Sequence, residues 1–201
     1  MKHLKLSILT LTWAITCTST SLASEEISKL SLNEVVSYLQ LERHIEGGFF
    51  RRTYEAENLP RIITPDGERL SMTSIYYLLS AKSPVGHFHL NKSDIVHYFH
   101  MGEPVEYFLI HPDGHLERHI MGTDLKAGEK LQLVVPGGIW KASRILSSNK
   151  TDYSLISEAV TPGFDYEDMS LGIREELASQ FPQHKTIIRE LTRAEISSTQ
   201  Q

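Results

Sequence analysis

The sequence predicts a mainly β domain, a sandwich or a barrel, with short helices only at its two ends. Three observations carry this reading. Between Phe49 and Val160, roughly seven or more short runs rich in β-branched and aromatic residues recur at spacings of about ten residues. Turn signals separate them, among them Pro65-Asp66-Gly67, His111-Pro112-Asp113-Gly114 and Pro136-Gly137-Gly138. Apolar residues at helical intervals occur only near the start of the domain and after Leu171.

Taken in order, Ser31 and Glu34 have the spacing of a capping box, and Leu32, Val35, Val36 and Leu39 follow at helical intervals, so a short amphipathic helix is expected to run to about Gln40. Gly47-Gly48 breaks it, and Phe49 to Glu55 alternates as a strand. Arg61 to Thr64 and Leu70 to Leu79 flank the Pro65-Asp66-Gly67 turn and are expected to pair as a hairpin. Pro84 sets a turn before a histidine-rich strand region, and Val105 to Ile110 is a strand closed by His111-Pro112-Asp113-Gly114, with Leu116 to Ile120 as its partner. Leu131 to Val135, Trp140 to Leu146 and Tyr153 to Val160 complete the strands, a polar loop (residues 147–152) separating the last two. From Leu171 the pattern becomes helical and is interrupted at Pro182, and residues 197–201 read as a frayed tail.

The chain has 201 residues, room for one domain with a sizeable core. Its first residues carry Lys2, His3 and Lys5, then an apolar run from Leu6 to Ile15, then small and polar residues up to Ser21-Leu22-Ala23. That is the pattern of a cleavable signal peptide over residues 1–23, leaving a mature domain of residues 24–201 that is secreted or periplasmic. Loss of Lys2 and Lys5 leaves 18 of the 20 basic residues against 25 acidic ones, so the formal charge moves from −5 to −7. An acidic domain without a basic run argues against nucleic acid or an anionic membrane as partner. The single cysteine, Cys17, leaves with the leader, so the mature chain has no disulfide, no thiol nucleophile and no thiolate metal site.

Four of the ten histidines lie in the stretch from Gly86 to Gly102. His87 and His89 are two apart, which on a regular strand puts both on one face. Inside a barrel, two imidazoles can serve a metal, an anion or a proton transfer. His100, His111, His115 and His119 read as surface or turn residues without a role.

The ordered blocks EGGFFRRTY, TSIYYLL, GHFHLNKSD, HPDG, VVPGGIWKAS and TPGFDYED together resemble the Cupin_5-type branch of the cupin superfamily, over roughly residues 30 to 195. The resemblance implies a double-stranded β-helix, a cupin jelly-roll barrel with short N- and C-terminal helices, commonly paired as a homodimer, with a small-molecule pocket in the barrel mouth. Metal-binding cupins supply two histidines and a glutamate from a first motif and a histidine from a second. Here His87 and His89 match the pair, Ile95 stands at the glutamate's place beside Asp94, and Lys141 replaces the second-motif histidine. Two histidines alone leave a divalent ion short of ligands.

The function expected on these grounds is an exported small-molecule-binding cupin without a cofactor. It would be an isomerase- or epimerase-like protein acting on a polar sugar-like or carboxylate ligand. The catalytic group is expected to be His87, His89, Glu46 and Lys141, with the imidazoles as acid/base or anion-holding groups. Arg51 supplies further positive charge, and His97, Tyr76, Phe99, Tyr107 and Trp140 are the expected ligand-binding residues, the aromatic ones by stacking. Only one of Tyr76 and Tyr77 can line the pocket, and Arg51 and Arg52 divide in the same way. Phe164 is expected to plug the barrel end. Two alternatives are a metal-dependent dioxygenase or isomerase using His87, His89 and His97, and a structural or storage protein without turnover.

Overall fold

A computed structural model describes residues 30–146 and 151–193, so the expected leader, the frayed tail and part of the polar loop lie outside the described residues. In chain order the elements are α1 (Leu32–Tyr38), β1 (Glu42–Arg43), β2 (Phe49–Glu55), β3 (Ile62–Thr64), β4 (Gly67–Arg69), β5 (Thr73–Ser80), β6 (Val85–Asn91), β7 (Asp94–Gly102), β8 (Val105–Ile110), β9 (Leu116–Met121), β10 (Gln132–Val135), β11 (Trp140–Ile145), β12 (Tyr153–Thr161), β13 (Met169–Leu171), α2 (Arg174–Gln180) and α3 (Lys185–Glu190). The capping box forms as expected: Ser31 Oγ accepts the Glu34 N–H, and the Glu34 carboxylate accepts the Ser31 N–H at 2.8 Å. Among the described residues, no helix is long and apolar enough to cross a membrane.

Two antiparallel sheets form the jelly roll, one in the order β1-β2-β5-β12-β7-β10 and the other β13-β6-β11-β8-β9. Strand pairing departs from the sequence reading in one place. The turn at Pro65-Asp66 joins β3 to β4, while β5 pairs instead with β2 and β12 inside the larger sheet. The eight residues of β5 bury more apolar surface there than a two-stranded flap allows.

Alternation sorts the side chains into two cores. Tyr77, Leu79, Phe99, Tyr107, Leu133 and Ile156 are among those that fill the space between the sheets. Phe88, Phe108, Ile110 and Ala142 face outward from the smaller sheet and pack against Leu177, Phe181, Ile188 and Leu191 of the C-terminal helical segment. Strand β8 is buried along its whole length because it serves both cores, with Tyr107 on one side and Phe108 on the other.

The mouth between the sheets is closed at one side by residues 161–168. Arg69 makes a two-pronged ion pair with Asp168, Nε to Oδ2 at 2.7 Å and Nη2 to Oδ1 at 3.0 Å, tying the β3-β4 flap to this segment. Phe164, carried on the same segment, reaches the pocket wall as expected.

Candidate functional site

Inward-facing residues of neighbouring strands line up across the larger sheet. Arg52 on β2 pairs with Ile75 on β5, Ile75 with Glu158 on β12, and Glu158 with His97 on β7. From the smaller sheet, His89 on β6 stands opposite Lys141 on β11. A turn over residues 44–48 adds His44 and Glu46. It is closed by the His44 N–H to Gly48 carbonyl bond and anchored by the His87 N–H, which donates to the Glu46 carbonyl at 2.8 Å. Gly47 in this turn has φ of +105°, and a Cβ there would collide with the Val85 carbonyl oxygen. Only glycine lets the turn sit this close to β6 and tuck Glu46 inward.

The result is a pocket open at its mouth, whose outline encloses about 370 Å³ including space continuous with solvent. Phe50, Ile75, Ile95, Val160 and Phe164 form apolar walls, and His44, Glu46, Arg52, Asn91 and Glu158 supply the polar groups. A second, tightly filled recess shares Asn91 and Ile95 with it and reaches Lys141.

Two buried polar networks meet here. In the first, Lys141 Nζ lies 3.2 Å from His97 Nε2 and 3.8 Å from Glu158 Oε1, and His97 Nδ1 lies 3.2 Å from the same Glu158 oxygen. A lysine ammonium only donates, so Nε2 is the acceptor and the ring proton sits on Nδ1, facing Glu158. Tyr107 Oη is 3.3 Å from that Nδ1. Burial alone would raise the Glu158 pKa, but the Lys141 charge, joined by the hydrogen bond from His97 Nδ1–H, outweighs it and holds the carboxyl well below its ordinary range. His97, fully buried beside Lys141, is pushed down and stays neutral near pH 7.

In the second network, His89 Nδ1 donates to the His87 carbonyl at 2.8 Å, which leaves Nε2 as a lone pair 3.3 Å from Glu46 Oε2. His44 Nδ1 accepts the Glu46 N–H at 3.3 Å and lies 3.6 Å from the same carboxyl oxygen. A carboxylate facing two lone pairs is unfavourable, and a protonated carboxyl is not. Burial, helped by Glu158 and opposed by Lys141, pushes Glu46 up to about 8. Burial likewise lowers His44 to about 4 and His89 well below its ordinary value. At neutral pH the pair therefore holds its proton on Glu46, facing His89 Nε2, which is buried without another hydrogen-bond partner.

Several expected site residues stand elsewhere. Strand β6 bulges against β11: between the pairs His89–Lys141 and Gly86–Ser143, two residues of β6 oppose one of β11. The bulge breaks the shared facing of His87 and His89. The His87 ring sits instead beside Leu191, Arg193 and Arg174 of the C-terminal segment, and burial followed by the Arg193 charge lowers its pKa. Tyr76 lies on the outer face of β5, its ring edge-on to His100 at 5.9 Å; the inward residue is Tyr77, whose hydroxyl donates to the Gly47 carbonyl at 2.9 Å. The same parity holds on β2, where Arg51 faces out to Gln40 and Arg52 lines the pocket. Trp140 packs on the outer core with the C-terminal helices and does not reach the pocket. Phe99 and Tyr107 face inward as core residues, Tyr107 acting through His97. Glu46, His89, His97 and Lys141 do converge.

Glu158 and His44, which join these networks, escape the sequence reading. Glu158 carries a signal: a glutamate between Ile156 and Val160 interrupts an apolar stripe of period two. His44 carries none, since only the turn brings it inward.

The donor set does not fit a divalent metal. Lys141 Nζ holds the lone pair of His97 Nε2, His87 has left the pocket, and a cationic side chain stands among the remaining donors. The triad His87, His89 and His97 is not assembled.

The family described as Cupin superfamily (DUF985), Cupin_5, matches residues 33–172. An uncharacterized protein of Saccharomyces cerevisiae is 40% identical over 148 residues, covering 69% of this chain and 73% of its own. Among solved structures, a protein from Shewanella oneidensis is 36% identical with a TM-score of 0.74, covering 83% of this chain and 99% of its own. A hypothetical protein from Leishmania major is 29% identical with a TM-score of 0.76, over 81% and 99% of the two chains.

Proposed function

Since the chain belongs to the Cupin_5 (DUF985) family of the cupin superfamily, we propose that it binds a small polar ligand in the barrel mouth and exchanges a proton with it through Glu46. One observation carries the reading: the buried Glu46 carboxyl is pushed up to about 8, while Glu158 in the same pocket is held ionised. Environments that drive paired carboxyls apart in this way separate a proton carrier from a fixed charge. Glu46 has the pKa suited to a general acid near neutrality, and the carboxylate it leaves behind can take the proton back. Glu158 is too weak a base for that work. Locked to Lys141 and His97, it orients hydroxyl groups of the ligand.

Unmet polar atoms support a ligand of this kind. Asn91 Oδ1 and Arg52 Nε are shielded from solvent without a hydrogen-bond partner, and both residues line the pocket. Arg52 favours a carboxylate or another anion at one end of the ligand, and Phe50 and Phe164 give flat apolar surface, a combination that matches the chemistry of a sugar acid or hydroxy acid. The reaction class this supports is isomerisation or epimerisation beside a carbonyl. The exported location and the homodimer belong to the same proposal and rest on the leader pattern of residues 1–23 and on the family resemblance.

The test combines binding with solvent exchange. A panel of sugar acids, hydroxy acids and simple carboxylates is screened by thermal shift, and each stabilising compound is incubated with the protein in D₂O and followed by NMR. Arg52→Ala is expected to abolish the stabilisation, Arg51→Ala to keep it, and Glu46→Gln to keep binding while stopping deuterium incorporation. Stabilisation that is equal in the Arg52 and Arg51 variants would sink the pocket assignment. Binding without exchange in the wild type would leave a binding protein and remove the proton-transfer step.

A further inference from the structure

The β8-β9 hairpin carries a second constellation, away from the barrel mouth. His111 directly follows β8, and His115, Glu117 and His119 come at alternate positions into β9. The backbone is fixed there: the His111 N–H donates to the His115 carbonyl, and the Gly114 carbonyl accepts from Gln183 at 3.0 Å and His184 at 2.8 Å, pinning the tip to the turn between α2 and α3. The rings of His111 and His115 stack with centroids 3.8 Å apart and planes 15° from parallel. Stacking turns both Nε2 atoms toward one oxygen, Glu117 Oε1, at 3.0 Å and 3.3 Å. The three atoms all lie within 4.8 Å of one another.

From these contacts we infer that the hairpin is a binding site for one borderline divalent cation of the Zn²⁺ class, held by His111 Nε2, His115 Nε2 and Glu117 Oε1, with water completing the coordination. The 3.0 Å and 3.3 Å separations between Glu117 Oε1 and the two Nε2 atoms match a coordination shell, because ligands about 2.0–2.1 Å from a tetrahedral ion are roughly 3.3 Å from each other. On binding, the half-exposed His115 ring tilts out of its stack so that the two in-plane lone pairs converge on the ion. The supporting contacts set each donor correctly. Asp113 Oδ1, 2.7 Å from His115 Nδ1, can only accept and keeps a proton on Nδ1, so Nε2, which hydrogen-bonds Glu117 Oε1 in the metal-free hairpin, is the nitrogen that gives up its proton to the ion. Lys130 Nζ donates to His119 Nδ1 at 3.0 Å, so His119 Nε2–H donates to Glu117 Oε2 at 2.7 Å and turns Oε1 toward the imidazoles. Carboxylate-to-imidazole and imidazole-to-carboxylate contacts of this sort orient metal ligands and fix their tautomers. His111 Nε2 is itself shielded from solvent and makes no hydrogen bond. Two imidazoles and one carboxylate, with no thiolate, favour Zn²⁺ or a neighbouring transition ion over Ca²⁺ or Mg²⁺.

The test is calorimetric titration of the full mature chain with ZnCl₂ in a non-chelating buffer, together with Co²⁺ absorption spectra. The wild type is expected to take up one equivalent and to give the intense visible bands of a four- or five-coordinate Co²⁺ site. His111→Ala/His115→Ala is expected to weaken binding at least 100-fold, Glu117→Gln to weaken it strongly, and Asp113→Asn to weaken it by about 10- to 100-fold through lost orientation. Glu46→Gln, in the barrel pocket, is expected to retain the full equivalent. Circular dichroism checks that each hairpin variant is folded. Unchanged Zn²⁺ affinity in both the double variant and Glu117→Gln, or no uptake by the wild type, would overturn the assignment and leave the cluster as a set of histidine–carboxylate ion pairs.

Discussion

Replacing Glu46 with glutamine should remove a specific piece of the protein's pH dependence. The glutamine amide still presents a donor to His89 Nε2, so it imitates the protonated acid at every pH. In the wild type the group has a pKa of about 8 when folded against 4.5 when unfolded. Because the folded pKa is the higher one, the native state holds a proton that the unfolded state has lost between those values. The stabilisation is therefore fully present below 4.5 and is lost as pH rises through 8. Integrating the two titrations gives a loss of about 1.4 kcal/mol between pH 7 and 9, out of about 5 kcal/mol over the whole range. The histidines near Glu46 do not blur this window, and His115, raised by its Asp113 and Glu117 hydrogen bonds, contributes equally to wild type and variant and cancels in their difference. His44, lowered to about 4, contributes in the opposite direction, with stability gained as pH rises from about 4 to 6.5 and complete by pH 7.

Urea unfolding at pH 6, 7, 8 and 9 provides the measurement. The difference in unfolding free energy between wild type and Glu46→Gln should change by about 1.4 kcal/mol in favour of the variant from pH 7 to 9. A difference that stays flat over that range would mean that Glu46 is ionised in the folded protein at pH 7, and the proposed proton carrier would be lost with it.

The remaining predictions concern the other network and the outer core. Lys141→Met should cost about 3–5 kcal/mol, because it strands the buried Glu158 carboxylate without its cation. Glu158→Gln should also destabilise, and the double variant should cost less than the sum by about 0.5–3 kcal/mol; strict additivity in the urea series would show that the two groups do not interact. Phe88→Ala should cost about 3–5 kcal/mol, since the ring is fully buried between the smaller sheet and the C-terminal helices. It should nevertheless leave the Glu46 titration unchanged, and a shifted titration would mean that the two cores are coupled.

The fold was legible in the sequence because a jelly roll is written in period-two alternation and turn chemistry, both local. The capping box at Ser31, the β8-β9 pair and the helical change after Leu171 all follow from residues within a few positions of each other. The site was legible only in part, because facing is a matter of parity and parity is set non-locally. Alternation showed that one of Arg51 and Arg52, and one of Tyr76 and Tyr77, must face inward. Only the cross-strand register, Phe50 with Tyr77 and Arg52 with Ile75, decides which. His87 fails for a related reason: an extra residue in β6 reverses its facing, and that bulge depends on pairing with β11, some fifty residues later. His44 and Glu46 needed the Gly47 turn and the Val85 carbonyl it packs against.

Lys141 gives the pocket its electrostatic logic. It projects from the smaller sheet to two groups of the larger one, His97 and Glu158, and its charge is among the causes behind the shifts of five carboxyl and imidazole groups around it. It lowers Glu158, His97, His89 and His44, and it moderates the rise of Glu46. Without it, burial would push Glu158 toward the neutral form, and the pocket would hold two protonated acids instead of one acid and one fixed anion. A metal ion in this place would supply positive charge by taking the histidine lone pairs. The ammonium takes only the lone pair of His97 Nε2, leaving His89 Nε2 free to face the proton of Glu46. With lysine where the resemblance places the second-motif histidine, the pocket holds a fixed cation in place of a coordination site, and under the proposed function the Glu46 titration would report on proton transfer as well as on stability.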